Sequence, residues 1–138
     1  MDDNVRKRME NDRFAAFVGI KLVKLEPGYA VAELDISEKH LNGVDIIQGG
    51  AIFTLADFAF AAASNACGQI TVAINANISY YKASTGTTLI AEAKEASASH
   101  KIANYNVDVF NEHREHIAHL SITGYKKTKE NFGGENRG

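Results

Sequence analysis

Gly49-Gly50-Ala51-Ile52-Phe53-Thr54-Leu55-Ala56-Asp57-Phe58-Ala59-Phe60-Ala61-Ala62-Ala63-Ser64-Asn65-Ala66-Cys67 is the stretch on which the fold turns. Its length, its alanines and its Gly-Gly start predict a helix that is apolar almost all round, and such a helix must be enclosed by other structure. Thr54, Asp57, Ser64 and Asn65 recur at spacings near three, seven and eleven, which predicts a single polar stripe along it. Asp57 is the one charged side chain between Asp45 and Lys82. A carboxylate in apolar surroundings costs several kcal/mol unless it pairs, ligates or reacts. Asp57 is therefore the first candidate for chemistry, against the plainer alternative of a buried loop-capping aspartate.

Outward from this helix the hydrophobic period changes. Residues Asp3 to Phe17 read as a short amphipathic helix with Val5, Met9, Phe14 and Phe17 on one face. Gly19 to Leu25 and Tyr29 to Ile36 read as strands joined by Glu26-Pro27-Gly28, a type II turn pattern, hence a hairpin. Ala30, Ala32, Leu34 and Ile36 alternate with Val31, Glu33 and Asp35, one face in and one face wet. After Gly68, Ile70, Val72, Ile74, Ala76, Ile78 and Tyr80 are expected on one strand face. Thr71, Ala73, Asn75, Asn77 and Ser79 are expected on the other. Three more strands follow, Thr88 to Ser97, Ile102 to Asn111 and about His116 to Lys127. Helix, two strands, long helix and four strands make an α+β domain, a curved antiparallel sheet wrapped around one central helix. The whole chain, 1–138, reads as one domain, with a charged, Gly-rich tail over about 129–138 expected to be disordered.

Bulk properties exclude several classes. A formal charge of −2 and no basic cluster give no field for nucleic acid. The acidic start Met1-Asp2-Asp3-Asn4 is neither a signal nor a transit peptide. Cys67 is the only cysteine, which predicts no internal disulfide, a structural thiol and a cytoplasmic setting. The run from Ile46 to Cys67 is not read as a membrane span, because Asp57 at its centre would cost roughly 2.5–3.5 kcal/mol on insertion. His113, His116 and His119 are spaced by three, which in a turn and a strand is expected to put neighbours on opposite faces. No metal site and no cofactor are predicted.

His40-Leu41-Asn42-Gly43-Val44-Asp45-Ile46-Ile47-Gln48-Gly49-Gly50, followed by Leu55-Ala56-Asp57, resembles the signature of hotdog-fold acyl-CoA thioesterases, nearest the phenylacetate-degradation (PaaI-like) branch. That pattern has an Asn, a His-Gly-Gly six residues later and a catalytic Asp nine residues after the His; Asn42, Gln48 and Asp57 stand at those spacings. Asn77-Ile78-Ser79-Tyr80-Tyr81-Lys82-Ala83 with Gly86 resembles the family's substrate-lining strand and the loop after it. The resemblance covers roughly residues 15 to 127.

The resemblance implies hydrolysis of an acyl-CoA to free acid and coenzyme A. Asp57 would act as general base or nucleophile, Gly49 N–H and Gln48 would polarise the carbonyl, and Asn42 would hold the loop or the carbonyl. Gly50, Thr54, Ala73, Asn75, Lys82, Ala83 and Ser84 are placed around the substrate, with Lys82 near a nucleotide phosphate; His40 shapes the site. The chain departs from the pattern at three places. Gln48 stands for the His, Asp45 for a Gly, and Ala73 for a Ser or Thr that helps hold water, a role open to Thr71, Asn75 or Asn77. Gln48 retains an amide donor but cannot become a cation. A competing class is a hotdog protein that binds acyl-CoA without turnover, as sensor or carrier; a hotdog dehydratase lacks its expected His-plus-carboxylate pattern here.

The residues support the same chemistry independently. Gly49 and Gly50 open a helix, where unpaired N–H groups and the positive dipole end suit an oxyanion. The plainer alternative is that they only let helix and sheet pack closely. Eight residues of helix separate Gly49 from Asp57, about 12 Å at helical rise. Both must lie about 3 Å from one reacting group, so one chain cannot supply both. Two chains antiparallel across a two-fold axis can, which predicts a homodimer with shared sites. The resemblance implies the same, with dimers paired into a homotetramer.

Overall fold

The computed structural model describes residues 3–84 and 86–127; the expected tail at 129–138 lies outside the described residues. In chain order the elements are α1 (Asp3–Glu10), α2 (Arg13–Val18), β1 (Ile20–Glu26), β2 (Tyr29–Asp35), a 3-10 turn (Glu38–His40), α3 (Gly49–Asn65), β3 (Thr71–Tyr80), β4 (Thr88–Ala98), β5 (Ile102–Asn111) and β6 (His116–Lys126). The six strands form one antiparallel sheet in the order β1-β2-β4-β5-β6-β3. α3 lies across one face of it, against β2, β4, β5 and β3. This is the expected hotdog arrangement.

Alanine explains how closely helix and sheet approach. Ala56, Ala59, Ala62 and Ala63 of α3 are fully buried, and so are Ala30, Ala32, Ala91 and Ala93 on the facing strands. Small side chains on both surfaces bring the two backbones together, while Leu34, Leu55, Leu89, Phe60 and Tyr105 fill the flanks. The β1–β2 hairpin turns at Gly28 with φ +76, the left-handed value a type II turn requires. Asn65 ends α3 and starts β3: its amide donates to the Thr71 carbonyl at 3.2 Å, and its Oδ1 accepts from Thr71 N–H at 3.1 Å.

Several expectations are corrected. The N-terminal helix is two helices. Asp12 caps the second by accepting from Ala15 N–H at 2.9 Å, and this turn points Phe14 and Phe17 to solvent (62% and 74% exposed) while Val5 and Met9 stay buried. The polar stripe on α3 is shorter than expected: Thr54 and Asp57 lie on its open side, but Ser64 and Asn65 are buried. Their polar atoms are satisfied by the Ala61 carbonyl and the start of β3. The single alternation along β3 fails because the register shifts between Ala73 and Asn75. One extra residue switches the faces, so Thr71 is buried before the bulge and Ala76 and Ile78 pack on the core after it. Val72 and Ile74 are left exposed on this edge strand.

The same device acts in β6, where Val109 pairs with Ala118 but Phe110 pairs with His116. Ile117 is the extra residue, and His116 and His119, expected on opposite faces, both reach Asp108. Cys67 lies past the end of α3 and is exposed, with Sγ 3.8 Å from Tyr105 Oη, rather than enclosed in the apolar run. No helix among the described residues is long and apolar enough to cross a membrane.

Candidate active site

The loop before α3 is held by its own polar residues. His40 is buried; its Nδ1 accepts from Ser37 N–H at 2.9 Å, so the ring proton is on Nε2, which donates to the Val18 carbonyl at 2.6 Å. Both ring nitrogens are occupied, which makes His40 a structural post joining this loop to α2. Asn42 Oδ1 accepts from Val44 N–H (3.0 Å) and Ile46 N–H (3.1 Å), folding the segment back on itself. At the tip, Asp45 adopts φ +63, the left-handed region, where a glycine would fit without strain and an aspartate is tolerated.

This loop delivers the chain to the start of α3. Gln48 is the N-cap: its Oε1 accepts from Gly50 N–H at 2.6 Å, leaving its amide NH₂ without a partner among the described residues. Gly49 N–H, the first of the helix, also has none. That donor sits where the helix dipole is most positive. Tyr80 donates its hydroxyl to the Gly49 carbonyl at 3.1 Å, and a Cβ on Gly49 would meet the Tyr80 ring and hydroxyl at 3.0–3.3 Å. Glycine at 49 thus lets the end of β3 approach the helix start.

Beside Gly49 opens a cavity of about 390 Å³, walled by Ile46, Ile47, Ile52, Tyr80, Tyr81, Lys82 and Ala83. Lys82 reaches its rim, but its Nζ is paired with Glu115 at 2.5 Å. The Lys82 ammonium, followed by the Asn111 amide, holds the Glu115 carboxyl below its ordinary range. A second hollow of about 460 Å³ also borders the helix start. It brings Gln48, Gly50 and Thr54 together with Phe14 and Phe17 of α2 and with Lys39. Thr54 there donates to the Gly50 carbonyl at 2.8 Å.

Asp57 lines neither hollow. It sits two turns further along α3, half-buried, with no hydrogen bond or ion pair among the described residues. Burial, and after it the Asp12 carboxylate, raises its pKa above the ordinary aspartate value. The expected site residues are thus distributed. Gly49, Lys82 and Ala83 share one hollow, and Gln48, Gly50 and Thr54 share the other. Asn42 stands in the loop, and Ala73 and Asn75 flank the bulge of the β3 edge strand. Ser84 Oγ accepts from Gly86 N–H at 3.3 Å and lines neither hollow.

Several contributors were not evident from the sequence. Asp12 and the exposed pair Phe14 and Phe17 depend on the break between α1 and α2, whose signal is the capping residue after Asn11. Glu115 and Glu112 come from the distant β5–β6 turn. Glu112 accepts from the N–H groups of Thr87 (2.9 Å) and Thr88 (3.2 Å), which lowers its pKa to about 2 and latches the loop that carries Lys82.

Residues 45–118 match the family model described as the thioesterase superfamily. The chain belongs to that superfamily, in its PaaI-like hotdog branch. The acyl-coenzyme A thioesterase PaaI of Escherichia coli is 31% identical over 116 residues, covering 83% of each chain. A protein of Archaeoglobus fulgidus is 37% identical over 122 residues, 88% of this chain and 79% of its own. Among solved structures, the E. coli PaaI protein from the phenylacetic acid degradation operon superposes with a TM-score of 0.87 at 28% identity, over 91% of this chain and 92% of that one. A mutant of the phenylacetic acid degradation protein PaaI of Thermus thermophilus gives 0.80 at 32% identity, over 84% and 100%. Both superpositions extend over most of this chain, helix and sheet together.

Proposed function

We propose that this thioesterase hydrolyses acyl-CoA thioesters at sites shared between two chains, each combining Gly49 of one protomer with Asp57 of the other. The observation that carries the proposal is a Gly49 N–H at the start of α3 that has no partner among the described residues and opens on an apolar-walled cavity, on the same helix as a half-buried Asp57 whose carboxylate likewise has none. Its E. coli relative, named for acyl-coenzyme A, supports the substrate class. The exposed β3 edge, with Val72 and Ile74 uncovered, supports antiparallel pairing with a second chain and, through further surfaces, a homotetramer. A cytoplasmic setting agrees with the lone, exposed Cys67.

In this reading the thioester carbonyl oxygen points at Gly49 N–H, assisted by the Gln48 amide, and gains stabilisation as it becomes an oxyanion; one such donor contributes about 3–4 kcal/mol. Asp57 takes the water proton as general base, or attacks the carbonyl carbon itself as nucleophile. Its raised pKa makes it a better proton acceptor near neutrality than an ordinary aspartate. Collapse of the tetrahedral intermediate breaks the C–S bond, and the thiolate recovers a proton to leave as free coenzyme A; on the nucleophile route water then hydrolyses the acyl–Asp57 anhydride to free acid and the regenerated carboxylate. Lys82 exchanges Glu115 for a phosphate of the nucleotide. Tyr80 and Tyr81 wall the cavity, whereas Phe58 and Phe60 are core residues.

The test is turnover of aryl, short, medium and long acyl-CoAs by the parent and by Asp57→Asn. The variant is expected to bind acyl-CoA and to lose at least about a hundredfold in kcat. Tight binding without turnover by the parent would instead establish a sensor or carrier. Single turnover in ¹⁸O-water, with hydroxylamine trapping alongside, separates the two roles of Asp57: label in its carboxylate or a trapped acyl–Asp57 anhydride indicates a nucleophile, and label in the acid with no trapped anhydride a general base.

A further inference from the structure

We propose that Asp108, His116 and His119 form a binding site for a divalent transition metal of the zinc type, on the sheet and apart from the proposed catalytic residues. The β6 bulge makes the cluster: with Ile117 as the extra residue, two histidines three positions apart turn to the same side. His116 Nε2 and His119 Nδ1 each lie 2.8 Å from the same oxygen, Asp108 Oδ1, and the three potential ligand atoms are all within 4.8 Å of one another. Ligand atoms bonded to zinc at about 2.0–2.1 Å in a tetrahedron stand about 3.4 Å apart, so closing the cluster on an ion takes side-chain movements on the order of 1 Å.

The proton balance is favourable. Without an ion, one carboxylate oxygen accepts two N–H bonds. With an ion, each imidazole stays neutral by carrying its proton on the other ring nitrogen, Nδ1 of His116 and Nε2 of His119, and presents a lone pair. The carboxylate supplies negative charge. Two imidazoles and one carboxylate are a donor set that suits zinc and leaves a fourth position for water.

The surroundings hold the donors in place. Phe110 stacks on the His116 ring at 5.0 Å and 22°, and Tyr81 meets its edge at 4.9 Å. The guanidinium of Arg114 lies 4.1 Å over the Phe110 ring and is paired at 2.9 Å with Glu92, the residue registered opposite Asp108. Its charge is therefore answered locally rather than directed at an incoming cation.

The experiment uses the tag-free full chain, stripped with a chelator and titrated with zinc by calorimetry and with cobalt(II) by visible absorption. One ion per chain is expected, with cobalt bands of a four- or five-coordinate site. His116→Gln, His119→Gln and Asp108→Asn should each weaken binding at least about tenfold, and His100→Gln should not. Should a variant unfold, histidine ring NMR of the parent decides: zinc should move His116 and His119 and leave His100 and His113 in place. Absence of stoichiometric binding by the parent, undiminished binding by a folded His116→Gln/His119→Gln double variant, or zinc-dependent shifts confined to other histidines would each overturn the proposal.

Discussion

Subunit mixing tests the two-chain site most directly. Asp57→Asn removes the carboxylate and Gly49→Pro removes the N–H, so neither homodimer should turn over. The structure favours proline as the lesion. Position 49 opens the helix, where proline is well accepted, and Gln48 at φ −70, ψ 135 already has the extended backbone that must precede one. The added atoms meet Tyr80, half exposed and able to give way. With Gly49 and Asp57 about 12 Å apart in a chain, a mixed dimer has one site with both groups intact and one with neither. Each mixed dimer should show about half of parental activity, and a random 1:1 mixture, half of it mixed dimers, about a quarter. Activity per site on an aryl or medium-chain acyl-CoA is followed as the subunits exchange, with native mass spectrometry counting the mixed species. Verified mixed dimers with no activity would refute the reasoning, because both groups would then serve one site from one chain.

Asp57→Asn should also stabilise the fold: a carboxyl whose folded pKa is raised costs stability once pH exceeds the ordinary unfolded value, so the variant should melt higher at neutral pH. The gap should close as pH falls below the ordinary aspartate range, and a variant that melts lower at pH 7 would contradict an unpaired carboxylate. Gln48→Ala should lower kcat about tenfold to a hundredfold by removing the amide donor and cost about 1 kcal/mol by removing the cap; unchanged kinetics with reduced stability would leave Gln48 as a cap alone. Asp45→Gly should raise stability by up to about 1 kcal/mol in urea unfolding, since glycine accepts the left-handed backbone at φ +63. A loss there would mean the Asp45 side chain holds the loop.

Element order was readable because long segments kept one period. The alternation of Ala30, Ala32 and Leu34 in β2 and of Ala103, Tyr105, Val107 and Val109 in β5 is the burial pattern of the folded strands. What escaped was caused by single residues with no periodic mark. An inserted residue near Ile74 and another at Ile117 each switched faces for everything beyond it, and the second gathered two histidines that strand geometry alone sets apart. Asp12 broke a helix whose apolar spacing ran straight across it. At the candidate site, Asp57 and Gly49 stood out through charge isolation and the Gly-Gly start. Glu112 and Glu115 act through a turn far away in sequence, and only the folded chain brings them to Lys82 and its loop.

Glu112 has a bearing on how the enzyme responds to acid. It is a surface carboxylate, yet the N–H groups of Thr87 and Thr88 keep it charged down to about pH 2. A lowered folded pKa stabilises the fold above the ordinary glutamate range, and that contribution is lost progressively below it, fully gone only as pH falls through about 2. Gly86 leaves room for it, since a Cβ there would collide with the carboxylate. This fastening of the strap that carries Lys82 and Ala83 therefore persists well below the ordinary glutamate range. A fall in rate on mild acidification is then not owed to this latch, and Asp57, whose proton affinity is displaced the opposite way, is the first group against which the acid limb of a pH profile is to be tested, by repeating the profile with Asp57→Asn.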